Sequence, residues 1–203
     1  MIAARLGHDH FLVWSLPLEQ VTALIPSTIM PVICNGHGWL LFAIAQLDQT
    51  RVLGWPLAGR RRVAGWLIPC HAPGGGLGNY FLNAYSDDPL VVLAYRALGM
   101  PKARHVRLHI GPDHARAPDV DARFGAPYDE PALAWFADDR CGIISRTGGG
   151  GPGGIVRLPL AKRGWHWQPR RMTVQAPFAT EMGATAIAAI DCSRDLAIWG
   201  AAR

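Results

Sequence analysis

Lysine and glutamate are both scarce in this chain of 203 residues. Only two of its 20 lysine and arginine residues are lysines, Lys102 and Lys162, and only three of its 15 acidic residues are glutamates. Charged residues make up 17% and hydrophobic residues 50% of the chain, which excludes a disordered protein. No apolar run reaches the roughly 18 residues that a membrane-spanning helix needs, so we expect no membrane partner.

Cysteine is also infrequent, and its spacing carries no motif. The four cysteines are scattered and never form a Cys-x-x-Cys pair; they are Cys34, Cys70, Cys141 and Cys192. The first residues lack the apolar segment of a signal peptide. Two disulfides would fit the count, but free thiols in a cytoplasmic protein fit the spacing better, so we predict a cytoplasmic location.

The net charge of +5 comes mostly from arginine, which clusters at residues 60–62 and 170–171. The second cluster lies beside Trp165 and Trp167, a combination that stacking nucleic-acid surfaces use. The alternative is a solvated loop with an Arg/Trp rim. Because no nucleic-acid-binding motif is present, we expect no nucleic-acid partner.

Glycine dominates residues 148–154, where Pro152 interrupts the run. A phosphate-binding loop needs a Gly-Lys-Ser/Thr end that opens a helix, but here a strand-like Ile155-Val156-Arg157-Leu158 follows. We therefore predict a flexible hairpin or lid at this position.

The periodicity predicts short strands with one or two helices. One helix is predicted over 18–25, with Ser15 as its cap and Pro26 at its end, and a second over 89–98, capped by Asp87 and Asp88. The predicted strands cover 39–47, 63–72, 79–85, 103–110, 142–146, 154–158, 172–176 and 184–191. This order indicates an α+β fold with a largely antiparallel sheet, in a single domain over residues 1–203.

Lys102 draws attention because 18 of the 20 lysine and arginine residues are arginine. Alternation over 103–110 places it on one face with Arg104 and three apolar side chains, Val106, Leu108 and Ile110. If this face points into the core, burial and the cationic Arg104 lower the pKa of the Lys102 amine, which then attacks a carbonyl group. The alternative is a surface lysine at a helix-to-strand turn.

Residues 85–89 (YSDDP) and 96–102 (RALGMPK) resemble the signature of the acetoacetate decarboxylase superfamily, an acidic turn followed by a helix and a Pro-Lys motif. The resemblance covers roughly residues 10–110. It implies an acetoacetate decarboxylase-like antiparallel β-barrel or cone with flanking helices, a homo-oligomer, and Lys102 as the Schiff-base lysine. Acetoacetate decarboxylase is itself a known example of an enzyme whose lysine is activated by desolvation or by a neighbouring cation.

The chain departs from the family at the other functional positions. The second lysine of the family's pair is Ala103, which leaves Arg104 to tune the amine or bind an anion. The resemblance places the family's two pocket glutamates at Ala43 and Val63, and its carboxylate-binding arginine at Ser15. Acetoacetate itself is therefore not the expected substrate.

Four other side chains are candidates for the missing acid and base groups: Asp48, His71, Tyr80 and Glu181. Each also fits an ordinary rim or turn position. Neither a metal nor a cofactor is predicted, because no histidine or cysteine has partners at ligand spacing.

Two functions remain open from the sequence. The first is a lyase-type enzyme in which Lys102 forms a Schiff base with a small keto acid or ketone, followed by decarboxylation, aldol or dehydration chemistry. Its partner would be a small-molecule carbonyl substrate. The second is a non-catalytic protein of the same fold that binds a small ligand or serves a structural role.

Overall fold

The structure, a computed structural model, describes residues 2–52, 55–56, 58–71, 77–97, 100, 102–133, 142–146 and 155–198. The described strands are Ile2–Pro17 (β1), Met30–Pro31 (β2), His37–Val52 (β3), Trp55–Pro56 (β4), Arg61–His71 (β5), Leu77–Phe81 (β6), Ala84–Ser86 (β7), Ala103–His105 (β8), His109–Ile110 (β9), His114–Ala117 (β10), Val120–Pro127 (β11), Gly142–Arg146 (β12), Ile155–Gln175 (β13) and Thr185–Ile198 (β14). The described helices are Leu18–Leu24 (α1), Pro89–Ala97 (α2) and Pro177–Glu181 (α3).

All of these strands belong to one 14-stranded sheet. Its main path runs β12-β6-β5-β3-β1-β14-β13-β11-β10-β9, and nearly every pairing along it is antiparallel. β12 pairs with β6 at one end of the path and also with β13 further along it, so the strands from β6 to β13 form a ring. The sheet is thus the antiparallel barrel or cone with flanking helices that the sequence predicts.

Both faces of the central strands are buried. Along β1, Leu12, Trp14 and Leu16 belong to one apolar cluster, whereas Phe11 and Val13 belong to another on the opposite face. The first cluster, which we call the helix-side core, also contains residues of α1 and α3. A strand that is buried on both faces reads as a continuous apolar run, because neither face needs polar side chains.

The predicted helix at Pro89 is confirmed, together with its cap. The Leu90 N–H donates to Asp88 Oδ1 at 2.8 Å, which satisfies one of the free donors at the start of α2. The same turn is tied to β5 by two ion pairs, Arg61 Nε to Asp88 Oδ2 at 2.5 Å and Arg62 Nη1 to Asp87 Oδ2 at 3.0 Å. Two arginines of the first cluster therefore hold the turn in place, and Arg61 is not the solvated side chain that the sequence predicts.

The first predicted helix is present as α1, but its predicted cap is wrong. Ser15 lies inside β1, where it pairs with Trp39 and Thr185, and no side chain caps this helix. Pro17 occupies the cap position instead. The strand continues to the helix without a turn, because its backbone is paired with a neighbouring strand until Pro17.

Two predicted strands are shorter than expected. The strand predicted over 79–85 is divided into β6 and β7, with Leu82 and Asn83 between them. The strand predicted over 103–110 is divided into β8 and β9, which pair with different neighbours, β7 and β10. Alternation across 103–110 therefore does not describe one continuous face.

Three further predictions concern the chain as a whole. None of the helices in the described residues has the length and apolarity to cross a membrane. Cys34 and Cys70 are free thiols, and burial raises the pKa of the Cys70 thiol to about 12. The glycine run at 148–154 lies outside the described residues, although β12 and β13 on either side of it pair antiparallel.

Candidate active site

A half-buried carboxylate, Asp119, is the centre of a polar cluster inside the helix-side core. Its Oδ2 atom accepts hydrogen bonds from Trp66 Nε1 at 2.7 Å and from Tyr85 Oη at 3.1 Å. Asn83 completes the cluster, because its Nδ2 donates to Tyr85 Oη at 3.1 Å and its Oδ1 accepts from the Trp66 backbone N–H at 3.0 Å. Asp119 Oδ1 is buried and has no hydrogen-bond partner among the described residues.

A tight hairpin brings Asp119 to this place. Ala117 of β10 pairs with Val120 of β11, so Pro118 and Asp119 form the two-residue turn between the strands. Ala115, Ala117 and Val120 are buried, and they pack the hairpin against the helix-side core. The packing of the hairpin therefore fixes a carboxylate beside a strand more than 50 positions away in the sequence.

Large aromatic rings surround the indole that binds Asp119. Trp66 is fully buried in β5, and the rings of Trp14, Phe42 and Phe178 lie 5.1, 5.0 and 5.1 Å from it. These contacts fix the orientation of the indole, because tilted and edge-on ring pairs at such distances are favourable. The Trp66 N–H is consequently directed at Asp119 by packing and not by a flexible side chain.

Tyr85 is held in its protonated form. Burial, and then the charge and hydrogen bond of Asp119, raise the pKa of the Tyr85 hydroxyl to about 12, although the charge of Arg104 acts in the opposite direction. At neutral pH Tyr85 is therefore a hydrogen-bond donor in this cluster.

Arg104 lies beside Tyr85 as its neighbour in the sheet. β7 and β8 pair in parallel, with Tyr85 opposite Arg104 and Ala84 opposite Ala103. Arg104 is exposed and forms no ion pair within the described residues. The two roles that the sequence predicts for Arg104, tuning the Lys102 amine or binding an anion, stay predictions.

The predicted burial of Lys102 is wrong. Lys102 is exposed, and the neighbouring Ala103 takes the buried position at 1% exposure, packed with Ala84 and Val92. β8 begins at Ala103 and is only three residues long, so Lys102 precedes the strand. The desolvation on which the expected pKa of Lys102 depended is therefore absent from this structure.

The positions that match the family's missing groups lie on the other face of the sheet. Ala45 pairs with Val63, which places Val63 and Ala43 on one face, and Val63 pairs with Ser86. Tyr85, the next residue to Ser86, points to the opposite face. Ala43 and Val63 therefore do not share a surface with Tyr85 and Arg104.

The four remaining candidates do not meet in one site. Asp48 is near one end of β3, where it contacts the exposed Arg60 at 3.3 Å, whereas His71 is exposed at the far end of the neighbouring β5. Tyr80 is half-buried in β6, and Glu181 is exposed at the end of α3. Asp48 and His71 lie at opposite ends of the β3–β5 pair and cannot act on one small substrate.

A second polar centre lies where β1, β13 and β14 meet. His10 is buried at 3% exposure, with Nδ1 2.5 Å from Asp191 Oδ1 and Nε2 2.9 Å from the Gly111 carbonyl oxygen. Arg170 donates to Asp191 Oδ2 at 2.9 Å and to Asp113 at 2.8 Å. Arg170 is thus a structural side chain at 13% exposure, not part of the predicted solvated rim.

An open cleft of ≈ 890 Å³ adjoins this second centre. Its walls include the aromatic side chains of Tyr128 and Trp167, with Asp191 and Cys192 beside them. Drug-sized ligands occupy clefts of similar volume. No group of three or more metal-binding side chains is present among the residues that the structure describes.

Sequence reasoning missed Asp119, Trp66, Tyr85 and Asn83 as members of one site. The only local signal was an acidic residue after proline between two alternating segments. Asp is common in turns for reasons of backbone hydrogen bonding, so that signal does not distinguish a functional carboxylate from an ordinary one.

Solved structures share the fold across nearly the whole chain. The enduracididine biosynthesis enzyme MppR, complexed with the condensation product of pyruvate and imidazole 4-carboxaldehyde, has a TM-score of 0.65 at 11% identity and covers 98% of this chain and 88% of that chain. Acetoacetate decarboxylase from Legionella pneumophila has a TM-score of 0.64 at 10% identity, with 97% and 84% covered. An acetoacetate decarboxylase-like enzyme from Sphingomonas wittichii RW1 has a TM-score of 0.61 at 11% identity, with 96% and 89% covered.

The chain therefore has the acetoacetate decarboxylase-like fold, as the sequence predicts. No protein-family model matches the sequence, and no curated protein sequence matches it. At identities of 10–11%, these structures establish the fold alone.

Proposed function

We propose that this protein is a lyase-type enzyme in which the Lys102 amine forms a Schiff base with a small keto acid or ketone. The observation that carries the proposal is the parallel pairing of β7 with β8, which aligns Arg104 with Tyr85. Lys102 and Asn83 immediately precede these two strands. In this proposal the Lys102 amine, the Arg104 guanidinium and the Asp119 cluster act on one substrate.

The chemistry follows from these three groups. The Lys102 amine attacks the carbonyl carbon after it gives up its proton, and loss of water leaves an iminium that withdraws electrons from the adjacent carbon. Arg104, which has no acidic partner in the described part of the chain, is placed to hold a carboxylate of the substrate. Decarboxylation, aldol addition or dehydration can each proceed from such an iminium.

The exposure of Lys102 and the uncharged residues at the other matched positions limit the choice of substrate. An exposed amine is accessible to a small carbonyl compound without any opening of the core. The positions that resemble the family's carboxylate-binding and acid groups are Ser15, Ala43 and Val63, none of which supplies a charge. We therefore propose that acetoacetate is not the substrate.

Reductive trapping tests the proposal directly, because the chain has only two lysines. The protein is incubated with borohydride and each of a panel of carbonyl compounds (pyruvate, 2-oxobutanoate, acetoacetate, acetone), then digested and analysed by peptide mass. We expect the Lys102 peptide to carry the adduct in the wild type and in Lys162→Arg, and no adduct there in Lys102→Arg. Arginine keeps the charge but is not an amine nucleophile at ordinary pH.

A wild-type protein that traps none of these compounds at Lys102, or that traps them equally at Lys162, would contradict the proposal. Peptide mapping also separates Lys102 from the chain's terminal amine, which forms imines non-specifically.

The rival function is a non-catalytic protein that binds a small ligand. The cleft beside Tyr128 and Trp167 favours this function, since the volume of the cleft suits a small ligand. None of the residues that line the cleft belongs to the Asp119 cluster. One experiment separates the two functions. The rival is supported if a ligand quenches tryptophan fluorescence equally in the wild type and in Lys102→Arg and no compound is trapped at Lys102.

A further inference from the structure

We propose that Asp119 is the base of this site, and that its Oδ1 atom removes a proton from the carbon next to the carbon bound to Lys102. The inference deepens the proposed function and rests on it. It also narrows the substrate to carbonyl compounds that carry a hydrogen on the carbon adjacent to the keto group.

The hydrogen bonds of the Asp119 carboxylate identify Oδ1 as the atom that would accept the proton. Oδ2 accepts from both Trp66 and Tyr85, whereas the buried Oδ1 accepts from none of the described residues. A proton that the side chain gains therefore belongs on Oδ1. A buried acceptor without a partner costs free energy, on the order of 1–3 kcal/mol and more for a charged group, unless a function or a ligand uses it.

Asp119 forms no ion pair with the described residues. Six other aspartates of the described residues form ion pairs: Asp48, Asp87, Asp88, Asp113, Asp121 and Asp191. The partners of Asp119 are instead a neutral indole and a hydroxyl that stays protonated at neutral pH. These donors orient the carboxylate without cancelling its charge, so it can stabilise a cationic iminium nearby.

Asp119 lies close to the protein surface. The residue lies in the turn between β10 and β11, where Pro118 is exposed and Asp119 itself is half-buried. Its Tyr85 partner is the sheet neighbour of Arg104, which follows Lys102 by two positions in the chain. The proposal includes a displacement of the side chain or turn that exposes Oδ1 towards that strand.

The proposed step conserves atoms and electrons. The carbon–hydrogen bond next to the iminium carbon breaks, and its electron pair forms a carbon–carbon double bond. The π electrons of the carbon–nitrogen bond move to the nitrogen of Lys102, which yields a neutral enamine. The proton passes to Asp119 Oδ1, and the reverse transfer returns it to carbon.

Exchange of hydrogen for deuterium measures this step separately from imine formation. The wild-type protein is incubated in deuterated buffer with pyruvate, and the loss of the methyl proton signal is followed by NMR, with borohydride trapping run in parallel. We expect Asp119→Asn to slow the catalysed exchange by at least about 100-fold, the usual contribution of a positioned base, while trapping at Lys102 is unchanged. Asparagine can keep the acceptor for Trp66 and Tyr85, so the fold should persist.

Asp119→Glu provides a second arm, because it keeps the charge and displaces the carboxylate by one methylene. A displacement of a reacting group by about 1 Å can lower the rate by roughly 100-fold. The rate of deuterium exchange should therefore fall again in Asp119→Glu, while trapping at Lys102 continues. Asp121→Asn is the matched control: it removes the same charge two residues further on, from a carboxylate that pairs with His114 and Arg116. It should exchange and trap like the wild type.

Each outcome decides the inference. Lost exchange with retained trapping in both Asp119 variants supports it. Wild-type exchange in either variant, or trapping by the wild type without exchange, overturns it and leaves the Schiff-base proposal intact. Loss of trapping in Asp119→Asn overturns it in favour of a positioning role, and a wild type that neither traps nor exchanges overturns both proposals.

Discussion

Replacement of Arg170 should be among the most destabilising changes of a charged residue in the described structure. Its guanidinium forms ion pairs with Asp191 and Asp113 and is 13% exposed. It also donates hydrogen bonds to three backbone carbonyl oxygens, those of Pro112 at 2.6 Å, Gly125 at 2.8 Å and Phe124 at 3.3 Å. One side chain thus joins the segment before β10 to β11, β13 and β14.

The expected magnitude follows from what Arg170→Ala leaves behind. Removal of one partner of a buried ion pair costs about 3–5 kcal/mol. Asp191 is 35% exposed and Asp113 74% exposed, so solvent screens part of the loss. His10 also remains paired with Asp191. We therefore expect the free energy of unfolding to fall by about 3 kcal/mol, at the lower end of that range.

Urea denaturation followed by tryptophan fluorescence measures the loss. With a slope of about 1–3 kcal/mol per molar urea, a loss of this size lowers the midpoint by at least roughly 1 M. Arg170→Lys should be intermediate, because lysine keeps the charge but cannot bind several acceptors in one plane.

Arg171→Ala is the matched control for this experiment. Arg171 is exposed, and its guanidinium carbon lies 5.4 Å from the Tyr128 ring centroid, a contact worth about 0.5–1 kcal/mol at an exposed site. Both variants lose one positive charge from adjacent positions. If Arg170→Ala and Arg171→Ala have the same midpoint, the network around Arg170 does not stabilise the fold and the reasoning is refuted.

Two further predictions concern acid stability and packing. Burial raises the pKa of the Asp191 carboxyl, but the hydrogen bonds and charges of His10 and Arg170 outweigh it and lower the pKa below its usual 3.8. A carboxyl whose pKa is lowered in the folded state stabilises the fold at pH values above its unfolded pKa. That contribution is lost as the pH falls through the folded-state pKa. The urea concentration at the unfolding midpoint should therefore decrease when the pH is lowered below about 4, and this decrease should be less steep in Asp191→Asn. A β-carbon added at Gly38 would lie 2.6 Å from Val21 Cγ2. Gly38→Ala should therefore lower the free energy of unfolding by about 1–3 kcal/mol and lower the melting temperature. An unchanged melting temperature would show that α1 moves freely away from β3.

Local sequence patterns identified several elements because their causes are local. The aspartates before Pro89 predicted the start of α2, and Asp88 does cap it, since a cap needs only the residues next to it. The β3 and β5 segments were also predicted, because apolar runs bounded by turn residues are typical of buried strands. The first strand was missed, because its apolar run from Phe11 to Trp14 is shorter than those of β3 and β5 and follows the polar residues His8, Asp9 and His10.

The Lys102 segment shows the limit of alternation as a guide. The residues from 103 to 110 alternate as one strand would, yet they form two short strands with different partners. Alternation reports which residues share a face only while pairing continues, and pairing depends on distant strands. The burial predicted for Lys102 was therefore wrong, while Ala103 took the interior position.

The sequence by itself determined the fold class. Periodicity and turn residues indicated an α+β fold with a largely antiparallel sheet, and the resemblance around the Pro-Lys motif implied an acetoacetate decarboxylase-like barrel. Only the tertiary structure decided which groups meet. Asp119 reaches Trp66 across 53 positions and Tyr85 across 34, and His10 reaches Asp191 across 181. Contacts over such separations arise from strand pairing and hairpin packing, which no local window of the sequence contains.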